Sequence, residues 1–355
     1  MAAALLAGCQ SAPPAESTIS ATDAHRFIER ALPPKLADKQ GWVDDIYDDL
    51  TVLTVEPSRE NICAVAAVIQ QESGFQVDPV VPNLGIIATQ EIDNRAERMH
   101  MPLMMVRGVL ALKSAGGRSY AERISAAKTE KDLSDIYEDF ISSVPLGRTL
   151  FEDHNPIRTR GPMQVNVAFA AQFSAATPYP YPIKRSIPDE LFTRRGSLYF
   201  GIAHLLDYRA PYDDFLFRFA DYNAGQYASR NAAFQHALRV ASGTALDADG
   251  ALLPHDADAN EPGSTERAAR ALKARLNLSD AAIHSQLEQG KLKAFEQTVL
   301  YQRVFTLAET KQGAHLPRAR VPTIVLAGPK LKRRLTTQWY ADRVDQRFKR
   351  CLNAP

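Results

Sequence analysis

One segment that is apolar on every side constrains the fold of this chain more than any other feature. Within Arg59–Glu72, the residues from Ile62 to Ile69 are apolar without a break, and Gly74 and Phe75 follow as a stop signal. A helix without a polar face has to be surrounded by protein, because apolar surface is unfavourable in water on whichever side it is exposed. The segment therefore predicts a central helix that is enclosed by other elements.

The rest of the chain supplies helices to enclose it. Hydrophobic residues recur at helical intervals almost throughout, and no Asn-Gly or Asp-Gly turn joins two alternating runs. Ser119 and Glu122 have the spacing of a capping box, and apolar residues repeat at helical intervals from Leu133 to Ile141. With 45% hydrophobic residues among 355, the chain can build a large core. The sequence predicts a mostly α fold.

Charge and hydropathy exclude two classes of protein. Lys and Arg total 42 against 41 for Asp and Glu, so the net charge of +1 creates no field that would gather nucleic acid. No run of 18 or more apolar residues is present, so no membrane-spanning helix is predicted. We expect no nucleic-acid partner, and any membrane attachment has to use other means.

The amino-terminal cysteine suggests such a means. Cys9 follows Leu6, Ala7 and Gly8 in a pattern that resembles a bacterial lipobox, with residues 1–9 as a lipoprotein signal remnant. Residues 10–23 are rich in Ser, Ala, Pro and Thr, as a flexible tether is. Because no Asp follows Cys9, the resemblance implies a periplasmic protein with a lipid anchor in the inner leaflet of the outer membrane. The alternative is a short apolar terminus with an incidental cysteine.

Two cysteines then remain, Cys63 in the apolar segment and Cys351 near the end of the chain. In an oxidising compartment a disulfide between them is favoured over two buried free thiols. Such a disulfide would connect the carboxyl terminus to the predicted central helix.

Glu72 is the first candidate for catalytic chemistry. The apolar helix around it withholds solvent, and the negative end of the helix dipole disfavours another negative charge. Both effects raise the pKa of the carboxyl group, and a carboxylic acid that stays protonated near neutral pH can act as a general acid. The alternative is an ordinary polar helix end that leaves the core.

Three further segments combine an amide or a phenol with a turn or a helix end. Each is explained equally by an ordinary turn, core or helix end, but amide and hydroxyl groups also suit recognition of a sugar. In chain order they are Gly161-Pro162-Met163-Gln164, the predicted loop Asp221-Tyr222-Asn223-Ala224-Gly225, and the helical Thr298-Val299-Leu300-Tyr301-Gln302-Arg303-Val304.

Together the four segments resemble the soluble lytic transglycosylase family of the lysozyme-like superfamily. The match consists of Glu-Ser, Gly-x-Met-Gln, Tyr-Asn-Ala-Gly and Thr-x-x-Tyr-x-x-Val in that order. The resemblance implies a lysozyme-like helical domain over residues 24–355, with the motifs in a core of residues 58–310. It implies Glu72 as catalytic acid and base, and it implies substrate-binding roles for Ser73, Met163, Gln164, Tyr222, Asn223 and Tyr301, the last of which would close the site.

The implied activity is cleavage of the β-1,4 bond between N-acetylmuramic acid and N-acetylglucosamine in peptidoglycan, with formation of a 1,6-anhydro product and without a cofactor. One alternative is a hydrolytic muramidase in which Asp221 or Asp78 activates water. Another is a non-catalytic lipoprotein that binds peptidoglycan or a cell-envelope partner. We interpret Asp221 as a surface charge.

Two regions have no counterpart in the resemblance, an insertion at residues 76–155 and a carboxyl-terminal extension at residues 313–355. We expect the insertion to be a folded cover for the cleft or a surface for a cell-wall protein, with its apolar stretches at Met101–Leu112 and Leu133–Ile141 buried against the domain or a partner. The extension is rich in Lys and Arg around Trp339 and Tyr340. These charges form either a solvated helix face or a contact for anionic glycan, peptide stems or lipid headgroups.

No metal site is predicted. Asp256, Asp258 and Asn260 resemble the opening of a calcium loop, but Glu261 stands where the loop needs glycine and Arg267 where it needs a closing Glu. The eight His residues and the cysteines lack the paired spacing of a zinc site.

Overall fold

The computed structural model describes residues 19–144, 149, 155–254, 261–326 and 334–354, and in these ranges the chain is mostly helical, as predicted. The lipobox Cys9 and the suggested calcium loop lie outside the described residues. The end of the proposed tether is helical, because the first helix begins at Ala21 and the side chain of Ser20 caps it by accepting a hydrogen bond from the backbone of Asp23.

The predicted central helix is confirmed with the bounds expected from its apolar pattern. Ser58 caps it, and every residue from Ile62 to Ile69 is buried. Its neighbours in the largest core come from both ends of the chain. The helices of this core are α1 (Ala21–Ala31), α2 (Lys39–Val52), α3 (Arg59–Glu72), α10 (Arg194–Leu206), α11 (Phe215–Ala224) and α17 (Thr337–Leu352).

The predicted disulfide is confirmed. Cys63 in α3 and Cys351 in α17 are bonded, with their Cα atoms 5.6 Å apart and 288 positions between them in sequence. Cys63 lies near the start of α3 and Cys351 near the end of α17, so the two helices pack antiparallel. The disulfide therefore joins one end of this pair and leaves the other end to side-chain contacts.

The insertion forms a small helical unit with its own core. The capping box of Ser119 and Glu122 is confirmed at the start of its third helix. Leu133 and Ile136 are buried with Tyr120 and Leu84, as expected for the second apolar stretch. Its helices are α4 (Leu84–Arg98), α5 (Leu103–Leu110), α6 (Tyr120–Ala126) and α7 (Glu130–Ser143).

The first apolar stretch of the insertion contradicts the prediction. Helix α5 has no buried residue, and Met104 is 86% exposed. The expectation that Met101–Leu112 is buried against the domain is therefore wrong, since this stretch contributes only the partly buried Leu110 to the small core of the insertion. Burial against a partner stays a prediction. None of the described helices is long and apolar enough to cross a membrane.

The second half of the chain adds short antiparallel pairs and a second core. Strand β1 (Thr159–Arg160) pairs with β2 (Val165–Asn166), and β3 (Val325–Leu326) pairs with β4 (Leu335–Thr336). The second core is built mainly on α12 and α16. The remaining helices are α8 (Val167–Ala176), α9 (Ile187–Glu190), α12 (Ala228–Ser242), α13 (Ser264–Ala271), α14 (Lys273–Leu276), α15 (Asp280–Glu288) and α16 (Val299–Gln312).

Candidate active site

Glu72 is the last residue of α3, and the chain turns sharply straight after it. Gly74 and Phe75 both have left-handed backbones, with φ angles of 60° and 67°. For a residue with a side chain this conformation costs about 1–3 kcal/mol and persists only where packing enforces it. The ring of Phe75 meets that of Trp42 edge-on, with 5.5 Å between centroids. The enforced turn fixes the position of the Glu72 carboxyl group.

A hydroxyl group from the far end of the chain meets this carboxyl group. Tyr340, near the start of α17, donates a hydrogen bond to Oε1 of Glu72. Burial raises the pKa of Glu72 to about 7, while the hydrogen bond from Tyr340 acts in the opposite direction. The side chain of Glu72 still keeps part of its surface open to solvent. It can therefore hold a proton near neutral pH and also reach a bound molecule.

A second tyrosine lies beside the same carboxyl group. Burial raises the pKa of Tyr222, and the charge of Glu72 raises it further. The pKa of Tyr340 is raised by burial and then by the same charge. Both phenols therefore stay protonated over the range in which Glu72 titrates. The hydroxyl group of Tyr222 donates to the backbone carbonyl of Met163 at 2.7 Å, which fixes the second motif next to the acid.

Tyr222 and Asn223 lie in the last turn of α11 and not in a loop, which corrects the sequence prediction. Gly225 ends the helix with a φ of 107°. Asn223 accepts a hydrogen bond of 2.9 Å from the hydroxyl group of Thr337, the buried first residue of α17. Asn223 thus fixes the start of the helix that carries the tyrosine bonded to Glu72.

Met163 reaches the site through its backbone and not through its side chain. The side chain is fully buried against Gly201, where a Cβ atom would overlap the sulfur. Its backbone N–H donates to the hydroxyl group of Ser197 at 3.0 Å. The substrate-binding role implied for the side chain of Met163 is therefore corrected, and its carbonyl group instead positions Tyr222.

Gln164 is half-buried, and its amide contacts the insertion. The residue has a φ of 51° in the β1–β2 turn. Its amide nitrogen donates to a carboxylate oxygen of Glu130 at 3.1 Å, and its amide oxygen accepts from the hydroxyl group of Thr159 at 2.9 Å. The insertion therefore contributes a buried carboxyl group to one of the four motifs, which the sequence analysis did not anticipate.

Ser73 caps the end of the central helix. Its hydroxyl group donates to the backbone carbonyl of Ile69 at 3.2 Å, and the side chain is partly exposed next to Glu72. Ser73 directly follows Glu72 in the chain. Its predicted role in orienting a bound molecule stays a prediction.

Tyr301 does not take part in this group of side chains. It packs in the second core, stacked on Phe234 with 5.8 Å between ring centroids and edge-on to Phe295 at 5.3 Å. The predicted closure of the site by Tyr301 is therefore corrected to closure by Tyr340. A signal for this was present, because Thr337-Gln338-Trp339-Tyr340 repeats the Thr-x-x-Tyr pattern and lies in the segment that the disulfide connects to the central helix.

Asp221 is buried, so its interpretation as a surface charge is wrong. Its carboxyl group accepts hydrogen bonds from the hydroxyl groups of Tyr208 and Tyr212 and from the backbone N–H groups of Tyr227 and Ser229. Burial raises its pKa to about 7 despite these donors. The contacts from Tyr227 and Ser229 join α11 to the start of α12, and those from Tyr208 and Tyr212 join it to the segment between α10 and α11.

Asp78 is exposed at the start of the insertion. Partial loss of solvent raises the pKa of its carboxyl group, and a hydrogen bond from Thr129 acts in the opposite direction.

Within the described ranges, no group of three or more His, Cys, Asp or Glu side chains could hold a metal ion.

These features define a mostly helical protein with a protonatable glutamic acid at the end of a buried helix, hydrogen-bonded to one phenol and near a second. The chain belongs to the family described as "Protein of unknown function (DUF1615)", whose model matches residues 35–354. It is 48% identical over 354 residues to "Uncharacterized protein YaiW" of Escherichia coli (strain K12). The aligned region covers 99% of this chain and 96% of that protein. No solved structure matches the chain.

Proposed function

We propose that this protein is a peptidoglycan lytic transglycosylase with Glu72 as its acid and base. The observation that carries the proposal is the carboxyl group of Glu72, which burial keeps protonated up to about pH 7 while Tyr340 donates to it. The order of the Glu-Ser, Gly-x-Met-Gln and Tyr-Asn-Ala-Gly segments gives the proposal its substrate.

In the proposed reaction, Glu72 gives its proton to the glycosidic oxygen as the bond to N-acetylmuramic acid breaks. The N-acetyl group of the substrate stabilises the positive anomeric carbon. Glu72, now a carboxylate, takes the proton of the muramic acid 6-hydroxyl, and that oxygen attacks the anomeric carbon. One carboxyl group suffices, because no protein nucleophile and no water are consumed. The phenol of Tyr340 holds the acid by its hydrogen bond, while the phenol of Tyr222 is itself held by the carbonyl group of Met163.

The proposed location is the periplasm, with a lipid on Cys9 in the outer membrane. This part of the proposal is supported by the lipobox-like residues before Cys9 and by the disulfide of Cys63 and Cys351, which suits an oxidising compartment.

A hydrolytic muramidase is the second candidate. The enclosure of Asp221 by four donors disfavours it as the base that activates water, and leaves Asp78 for that role. Mass spectrometry of the cleavage products separates the two reactions, since a 1,6-anhydro product is one water lighter than a hydrolysed one.

The decisive test is digestion of purified peptidoglycan by the wild type and by Glu72→Gln. We expect a loss on the order of 100-fold or more in the variant, with little change in melting temperature. Glu60→Gln is the matched control, because Glu60 is exposed in the first turn of the same helix. If Glu72→Gln digests as fast as this control, or if the wild type binds peptidoglycan without cleaving it, the catalytic proposal fails.

A further inference from the structure

Helix α17 carries arginines along one flank, starting beside the candidate site. Arg343, Arg347 and Arg350 are spaced i, i+4 and i+7. At about 100° of rotation per residue, they fall together with Trp339 and Tyr340 within an arc of roughly 100° on the helix surface. We call Arg343, Arg347 and Arg350 with Trp339 the arginine flank. Tyr340, which bonds to Glu72, forms the edge of this arc toward the core.

The three guanidinium groups have no acidic partner within the described parts of the chain. Arg347 and Arg350 donate to backbone carbonyls of their own helix at 3.0 and 3.2 Å. Arg343 lies over the ring of Trp339, 5.5 Å from its centroid. The arginine flank thus combines positive charge, free hydrogen-bond donors and an aromatic ring.

The acidic residues of α17 lie on the other flank and have partners of their own. Asp342 accepts from the amide of Gln338, and Asp345 accepts from Lys349, each four positions away. The helix therefore separates its charges, with the acidic residues and Lys349 on one side and unpaired arginines on the side that leads to the candidate site.

This arrangement opposes stability. Like charges at i, i+4 on a helix repel each other. Burial lowers the pKa of Arg347, and the charges of Arg343 and Arg350 lower it further, while Tyr340 acts in the opposite direction. Arg347 lies seven positions after Tyr340, about two turns along the same side of α17, so the arginine flank continues from the site along the helix. An anion bound there would relieve a repulsion that the fold itself leaves uncompensated.

We propose that the arginine flank binds the free carboxylates of the peptide stems of peptidoglycan while the glycan strand occupies the site at Glu72. The proposal rests on peptidoglycan as the substrate. Guanidinium groups match carboxylates with paired hydrogen bonds, whereas neutral sugars give them nothing comparable. The ring of Trp339 offers an apolar surface to the stem between its charges.

The test measures binding separately from cleavage. In a Glu72→Gln background, dissociation constants are determined for a muropeptide with free stem carboxylates and for the same muropeptide with these carboxylates converted to amides. Tryptophan fluorescence, to which Trp339 and the buried Trp42 both contribute, provides the signal. We expect the free form to bind about tenfold tighter or more, and R343Q/R347Q/R350Q to reduce this ratio to near one.

A matched triple variant, R118Q/R275Q/R320Q, removes the same charge from exposed positions elsewhere and should keep the ratio. The melting temperature of R343Q/R347Q/R350Q should not fall, because the change removes repulsion. A lower melting temperature with an unchanged ratio would assign the arginines a structural role and overturn the proposal.

Two further outcomes distinguish what the arginine flank binds from what the site at Glu72 catalyses. Equal binding of both muropeptides, with arginine-dependent binding to vesicles containing anionic phospholipid, would assign the flank to lipid and overturn the stem proposal. Arginine-dependent preference for free carboxylates in a protein whose wild type does not cleave peptidoglycan would support the stem proposal while refuting the catalytic one.

Discussion

Replacing Tyr340 with Phe removes one hydroxyl group from the candidate site and keeps the ring. The lost hydrogen bond favours the ionised form of Glu72, so its removal should raise a pKa that already stands at about 7. A hydrogen bond to a charged group contributes about 1.5–3 kcal/mol. One pKa unit corresponds to about 1.4 kcal/mol, so an increase of roughly one unit or more is expected.

The sign of the effect on activity follows from the role of the acid. A general acid works only while it is protonated, so the rate falls as pH rises through its pKa. In Tyr340→Phe the alkaline limb of the pH–rate profile should therefore move to higher pH. The pKa itself can be followed without activity by NMR titration of glutamate carboxyl carbons, with the Glu72 signal assigned by its absence in Glu72→Gln.

Tyr301→Phe is the matched control, because Tyr301 carries the same Thr-x-x-Tyr pattern and packs in the second core. It should leave the titration of Glu72 where it is in the wild type. The reasoning is refuted if Tyr340→Phe leaves the pKa of Glu72 unchanged or lowers it, or if Tyr301→Phe shifts it equally.

Three further predictions concern stability. Reducing the bond between Cys63 and Cys351 frees a loop of 288 residues, for which chain entropy gives at most about 6 kcal/mol of stability. Urea unfolding should show that the free energy of unfolding falls by about 2–5 kcal/mol, and an unchanged midpoint would contradict this. Asp221→Asn presents an amide to donors such as the Ser229 backbone, and calorimetry should record a loss of about 2–4 kcal/mol, whereas a loss near zero would argue against the buried network. Met104→Ser should change the free energy of unfolding by no more than about 0.5 kcal/mol, because the side chain is exposed; a loss typical of a core residue would restore the burial expected from sequence.

The features that the sequence predicted well are those that local residues determine. The bounds of α3 follow from its cap at Ser58, its unbroken apolar run and the glycine after it, and none of these depends on distant partners. The raised pKa of Glu72 was predicted from its place at the end of this apolar helix, although the burial that raises it depends on the elements packed around that end.

The features that the sequence misassigned depend on tertiary packing. Thr-x-x-Tyr occurs at both Tyr301 and Tyr340, and only the packing of the last helix decides which phenol reaches the acid. The charge of Asp221 is visible in the sequence, but its surroundings come from tyrosines and backbone groups of two other segments. The apolar residues around Met104 are typical of a core, yet none in α5 is fully buried, and Leu110 contributes to the core of the insertion while partly exposed.

The hydrogen bond between Glu72 and Tyr340 spans 268 positions of the chain, and this separation governs when the site can exist. Chains fold from the amino terminus as they emerge, so α3 is present long before the residues of α17. During synthesis, Glu72 lacks the phenol that holds it, and a chain that ends before α17 never acquires one. The hydrogen bond between Glu72 and Tyr340 therefore forms only after α17 has been made and has packed against α3, so an incomplete chain does not contain the complete candidate site.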